Sequence, residues 1–349
     1  MEKIKCLRWI SKNKMIIDER QIPELENHEA LLKVESCGIC GSDLKIIRFG
    51  NNRVKSGQIT GHEIAGEIIK VKNLKNFKIG DRVSVGADVP CYKCKSCISG
   101  NVNFCSENLA IGHELEGGFS QYMVLNKHTL EHGPIKKIKN LEYDLACMAE
   151  PLACCINGFD KVSFKNYNSV LIMGCGPIGL MLAFLARSTG IKKVYMTDIS
   201  EDRLKLLKDF DFITDSVNSK KTKLKDWITK ICENSIDLIF TANNNVNSHH
   251  EALSVLAPQT VVNFFGGLPS DTPSIPINTN QLHYQENVLT GSHGSSPKQH
   301  SLAVDLISKN RAFFKKLISK TLSITEFKEA FESASNSKNL KVIIKPNKK

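Results

Sequence analysis

Four cysteines, Cys91, Cys94, Cys97 and Cys105, stand in one short stretch spaced C-x2-C-x2-C-x7-C. Thiolates at that density can wrap a single tetrahedral ion, and all-sulfur ligation favours zinc. The competing reading is a disulfide cluster. The chain starts MEKIKCLRWI, however, without the apolar run of a signal peptide. A cytoplasmic location is therefore expected, where thiols stay reduced and free to bind metal. Four sulfurs leave no open coordination position. This zinc is expected to be structural, in a lobe over roughly residues 88–106, and any chemistry must use other residues.

A chain of 349 residues has room for two domains with ample core. No stretch approaches the ~20 apolar residues of a membrane span, so no membrane partner is expected. Lys+Arg 47 against Asp+Glu 36 gives a net charge of +11. A four-cysteine site in a basic chain raises the possibility of a zinc ribbon on nucleic acid. The lysines are instead scattered from Lys3 to Lys349, and the cluster itself holds only Lys93 and Lys95. That is a solvated surface, and no nucleic-acid partner is expected. The closing KPNKK reads as a frayed terminus.

The first 150 or so residues read as short strands and turns, for example 30–34, 67–71 and 82–85, punctuated by glycine. The rhythm then changes. An apolar run at 170–173 meets Gly174, a helical run covers 178–187, and a second strand covers 194–197. Ser200 is placed to cap a helix reaching about residue 210. Strand and helix alternate through 236–241, 249–256 and 260–265, and a last strand-like piece at 287–290 precedes a helix near 299–309. Such alternation predicts a parallel sheet with crossover helices. The chain is thus read as α/β: a β-rich domain at 1–153, an inserted α/β domain at 154–290, and a return to the first domain at 291–349.

Gly174-Cys175-Gly176-Pro177-Ile178-Gly179 has the form G-x-G-x-x-G. It follows a strand, opens a helix, and has Asp198 at the end of the next strand, 19 positions after Gly179. Gly174 permits the tight turn, Gly176 lets a pyrophosphate approach the backbone, and Gly179 lets the helix pack closely. The helix start, at Pro177 and Ile178, then offers N–H groups to the phosphates. Asp198 suits the ribose hydroxyls and repels a 2′-phosphate, so NAD is expected over NADP, although Arg203 and Lys205 leave room for the latter.

Cys37-Gly-Ile-Cys40-Gly-Ser42-Asp43 is followed by Gly61-His62-Glu63, and further on by Glu150-Pro151. Thiolate, imidazole and carboxylate can hold one zinc while leaving a position open for substrate. Taken singly, His62 could be a turn residue and Cys40 a small buried hydrophobe.

With GICGSD, GHEIAGEI, the cysteine lobe, AEP and GCGPIG in that order, the chain resembles the zinc-dependent medium-chain dehydrogenases. The resemblance is strongest to their sorbitol (polyol) and threonine dehydrogenase branches. It implies a GroES-like catalytic domain split around a Rossmann domain, in a homodimer or homotetramer. It implies a catalytic zinc held by Cys40, His62 and either Glu63 or Glu150, with Asp43 orienting a ligand and Cys37 a bystander. The implied reaction is reversible oxidation of a secondary alcohol, with Ser42 as the first proton-relay hydroxyl. Many relatives carry a histidine where this chain has Lys45. Lys45, Arg48, Arg53 and Lys55 form either a solvated basic loop or a grip on an anionic, phosphorylated substrate. By resemblance Thr241–Asn243 and Phe264–Gly267 line the nicotinamide half of the cofactor site, with Lys298 near a phosphate and His293 in the return loop. An L-threonine 3-dehydrogenase-like enzyme and a non-catalytic dinucleotide-binding protein are the alternatives.

Overall fold

The computed structural model describes residues 3–231, 235–269 and 271–348. Two compact units emerge, Met1–Ala153 with Gly294–Lys349, and Cys154–His293. Among the described residues no helix is long and apolar enough to cross a membrane.

The first unit is built on a seven-stranded sheet whose main path runs Ile135–Lys137, Arg82–Val85, Glu63–Lys72, Glu29–Gly38, Lys341–Lys345 and Ile318–Ser323. Leu32, Val34, Ile64, Ile68, Val83, Val85 and Phe119 fill its core. The strand Glu29–Gly38 organises the unit. It pairs antiparallel with Glu63–Lys72, placing Gly38 opposite Glu63, and with Lys341–Lys345, placing Gly38 opposite Ile343. The end of the chain is thereby stitched beside the Cys37–Cys40 segment. The expected frayed tail is ordered as far as its described residues go. Lys345 pairs with Asp144 at 3.1 Å, and Asn347 donates to the carbonyls of Val34 and Gln121 at 2.8 and 3.0 Å.

The strands-and-turns reading of the first 150 residues overlooks several helices, two of which carry Ser42, Asp43 and Glu150. Gly41–Phe49 begins at a capping box formed by Cys40 and Asp43 and ends at Gly50, whose φ of 77° suits glycine. Gly41 at the helix start conceals the box in the sequence. Ala149–Asp160 is the second helix.

The second unit holds a six-stranded, wholly parallel sheet in the order Asp215–Asn218, Lys193–Asp198, Ser169–Met173, Leu238–Thr241, Val261–Phe264, Val288–Gly291. Order reverses beside Ser169–Met173, whose residues are all buried, as a central parallel strand covered on both faces requires. The doubly wound α/β sheet read from the alternation is present. The strand Asp215–Asn218 and the helix Leu224–Ile231 complete a crossover that the sequence pattern leaves unassigned.

The helix Pro297–Lys309 carries a pH-sensitive element of the first unit. His300 is 1% exposed, and its Nε2 lies 3.1 Å from Ser84 Oγ. Burial pushes its pKa down from 6.5 to about 4, partly offset by a hydrogen bond to the Ser84 backbone. Between those values the unfolded chain binds a proton that the folded chain does not. Stability is therefore full above about pH 6.5 and lost as the pH falls toward 4, by roughly 3 kcal/mol in all. Denaturant unfolding at pH 7.5 and 4.5 should show this loss in the wild type and a smaller one in His300→Gln. Equal losses in the two proteins would remove His300 as the cause.

Candidate active site

Among the described residues Cys91, Cys94, Cys97 and Cys105 are the one set of three or more ligand atoms converging within 4.8 Å. The described cysteines are all free of disulfides. Backbone amides face the sulfurs: Cys91 N–H donates to Cys105 Sγ at 3.3 Å, and the N–H groups of Lys93 and Cys94 donate to Cys91 Sγ at 3.4 and 3.3 Å. Amide donors, first from Cys97 and then from Ser106, hold the Cys94 thiol down at about 6. Burial pushes Cys97 up. A closed set of sulfurs with amide donors is suited to a structural zinc.

A second group gathers where the strand Glu29–Gly38 gives way to the helix Gly41–Phe49. Cys40 caps the helix, and Asp43 Oδ2 accepts from Cys40 N–H at 2.9 Å. Asp43 Oδ1 stands 3.7 Å from His62 Nδ1, too far for a hydrogen bond, and neither atom has another partner. On the other edge of the ring, His62 Nε2 is 3.4 Å from Ser42 Oγ. His62 and Glu150 are buried, whereas Cys40 and Ser42 are partly exposed.

The charges of this group are unbalanced. Burial pushes the Glu150 carboxyl up to about 7, against the pull of His62 and with a further push from Glu63. Burial likewise raises Asp43, opposed by His62. For His62, burial alone would lower the pKa. Asp43, Cys40 and Glu150 outweigh it and raise the pKa well above normal. Buried acids beside a thiol and an imidazole, with two orphaned polar atoms, fit a divalent cation that takes sulfur, nitrogen and oxygen donors.

The structure separates the two glutamates. Both oxygens of Glu63 accept from Lys341 Nζ at 2.7 Å, and Lys341 also donates to the Ile39 carbonyl at 3.2 Å. Lys341 lies 278 positions from Glu63 in the chain, and no local sequence signal marks it. Cys37 is fully buried. A Cβ added at Gly61 would lie 2.8 Å from its sulfur, and one at Gly118 2.9 Å. Of the basic residues near the site, Arg53 is bound bidentately by Glu114 at 2.6 and 2.8 Å, whereas Lys45 and Arg48 are exposed.

In the second unit, Gly174 has a φ of 121°, and a Cβ on Gly179 would lie 1.8 Å from the Gly174 carbonyl oxygen. Nothing lies within 4 Å of a Cβ at Gly176, which caps the helix Pro177–Ser188. Asp198 accepts from the amides of Cys175 at 2.8 Å and Ser200 at 2.9 Å. Gly174, Asp198, Ile199 and Asn243 are among the residues lining a cavity of about 250 Å³. Arg203 is half-buried with Nη1 unpartnered. Thr241–Asn243 and Phe264–Gly267 lie at the carboxyl ends of the neighbouring strands, where open α/β sheets bind ligands. His293 and Lys298 are exposed.

Residues 26–135 match the alcohol dehydrogenase GroES-like domain, and residues 177–309 match the zinc-binding dehydrogenase domain. The chain belongs to the zinc-dependent medium-chain alcohol dehydrogenase family. It is an alcohol dehydrogenase enzyme, zinc-dependent by family. A sorbitol dehydrogenase of Halalkalibacterium halodurans is 26% identical over 95% of this chain and 95% of its own. A D-arabitol-phosphate dehydrogenase of Enterococcus avium is 28% identical over 98% of both chains. An alcohol dehydrogenase of E. coli CFT073, solved with NADH, is 26% identical with a TM-score of 0.87 and covers 99% of this chain and 100% of its own.

Proposed function

We propose that this dehydrogenase reversibly oxidises a secondary alcohol of a polyol or polyol phosphate to a ketone, with NAD as hydride acceptor. Cys40, His62 and Glu150 would hold the catalytic zinc and the cysteine quartet a structural one. The observation that carries this reading is the group of partly exposed Cys40 with buried His62 and Glu150, and the Ser42 hydroxyl beside His62. Glu150 is preferred over Glu63 because Lys341 already engages both oxygens of Glu63.

Bound zinc polarises the substrate oxygen and lowers its pKa, and NAD accepts the hydride. Asp43 lies on the Nδ1 side of His62, so Nε2, on the Ser42 side, would be the nitrogen that faces the zinc. The partly exposed Ser42 hydroxyl takes the substrate proton and passes it outward, with Lys45 one turn further along the same helix. Asp198, fixed by two backbone amides, is set to accept from the ribose hydroxyls and to repel a 2′-phosphate. Lys45 and Arg48 remain available to an anionic substrate, and the D-arabitol-phosphate relative makes a phosphate ester a natural member of the panel.

The test is absorbance of NADH formed by zinc-loaded protein on sorbitol, 2,3-butanediol, arabitol phosphate and threonine, with a chelator control. Chelator-sensitive turnover of a polyol or its phosphate is expected, at least roughly tenfold better with NAD than with NADP. Turnover of threonine alone would replace the polyol reading, and turnover of none would end it.

A further inference from the structure

His113 belongs to no motif singled out in the sequence. Its ring centroid lies 6.1 Å from that of His62, with the planes tilted by 51°. Around the metal-binding group, His62, Glu150 and Asp43 are buried, while Cys40, Ser42 and His113 are partly exposed. A substrate reaching the group therefore approaches past those three residues. His113 Nδ1 is buried, and the ring also lies within hydrogen-bonding reach of the Ile111 backbone, so the partly exposed part of the imidazole is what a substrate meets.

The loop that carries His113 is rigidly seated on the backbone leading into His62. Gly117 N–H donates to the Ile59 carbonyl at 2.8 Å, Gly118 N–H to Gly61 at 2.8 Å, and Phe119 N–H to Thr60 at 3.0 Å. A Cβ at Gly117 would lie 2.2 Å from the Gly61 carbonyl oxygen, so the two strands of backbone touch without side chains between them. The loop is closed on its outer side by Glu114. That carboxylate accepts from Ala110 N–H at 2.9 Å and clamps Arg53. Backbone contact and ion pair together fix the imidazole relative to His62, as a positioning group requires.

We infer that His113 is a specificity-determining residue that hydrogen-bonds a second hydroxyl of the substrate, next to the one being oxidised. An imidazole offers such a hydroxyl a donor or an acceptor. A simple secondary alcohol has nothing to offer in return. The inference rests on the polyol reading above and names the feature by which a polyol is told from a mono-alcohol.

The test compares 2,3-butanediol with 2-butanol in the zinc-loaded full-length enzyme with NAD. The wild type should favour the diol, and His113→Leu should lose roughly tenfold in kcat/KM on the diol through KM, with 2-butanol unchanged. His113→Asn, which keeps a polar group, should retain part of the preference. Zinc content and melting temperature, measured alongside, should match the wild type. Equal losses on both alcohols would reduce His113 to a structural role, and no loss on either, or no wild-type preference for the diol, would overturn the inference while leaving the dehydrogenase reading intact. Failure of the wild type on every alcohol of the panel would remove the reading and the inference with it.

Discussion

Replacing Cys40 with serine is expected to lower kcat/KM by at least about 10³-fold, the equivalent of several kcal/mol of lost stabilisation of the reacting oxygen. The substitution isolates metal binding from folding. Cys40 caps the helix Gly41–Phe49, and serine is among the best capping residues, so the helix start keeps an acceptor. The Asp43 bond runs to the Cys40 backbone N–H and survives the change. What is lost is the thiolate beside His62, because a neutral hydroxyl is a poor zinc ligand. The variant should bind one zinc equivalent fewer per chain, retain the metal of the cysteine quartet, and melt within a few degrees of the wild type. Activity within tenfold of wild type, at normal zinc content, would mean that Cys40 is not a ligand.

What could be read from the sequence was what lies close together along it. The cysteine quartet falls within one short segment, so its spacing alone announces a common centre. Gly174 and Gly176 lie between a strand and the helix that Gly176 caps, Gly179 lies in that helix's first turn, and alternating apolar runs reveal the parallel sheet. The helix Gly41–Phe49 was hidden because its signal is a cap formed by a cysteine and an aspartate, with glycine in its first position. His113 carries no motif, and only the fold brings its ring beside His62. Arg53, one of four basic residues considered for an anionic substrate, is engaged by Glu114 across 61 positions. Lys341 lay furthest from any local pattern, since its partner is reached only when the end of the chain joins the first sheet.

That distant lysine leads to the largest expected effect on stability. Lys341→Met should destabilise the first unit by about 3–5 kcal/mol, the usual consequence of leaving one member of a buried ion pair alone. The Lys341 and Glu63 side chains are 5% and 0% exposed, so water cannot replace the missing partner. Burial by itself would lower the Lys341 pKa, and Glu63, joined by Cys40 and Cys147, more than reverses that and keeps the ammonium charged. The sheet leaves no side chain between them. Gly38 sits opposite Glu63 on one side and Ile343 on the other, and a Cβ on Gly38 would lie 2.1 Å from Glu63 Oε2. The isolated carboxylate would then turn toward the nearest positive charge, and His62, the proposed zinc ligand, is the preceding residue in the chain. Activity should therefore fall together with stability. Adding Glu63→Gln to Lys341→Met removes the stranded charge and should restore more than half of the lost stability in denaturant unfolding. A cost below about 1 kcal/mol for Lys341→Met, or no recovery in the double variant, would show that the pair does not tie the last strand to the segment at Glu63.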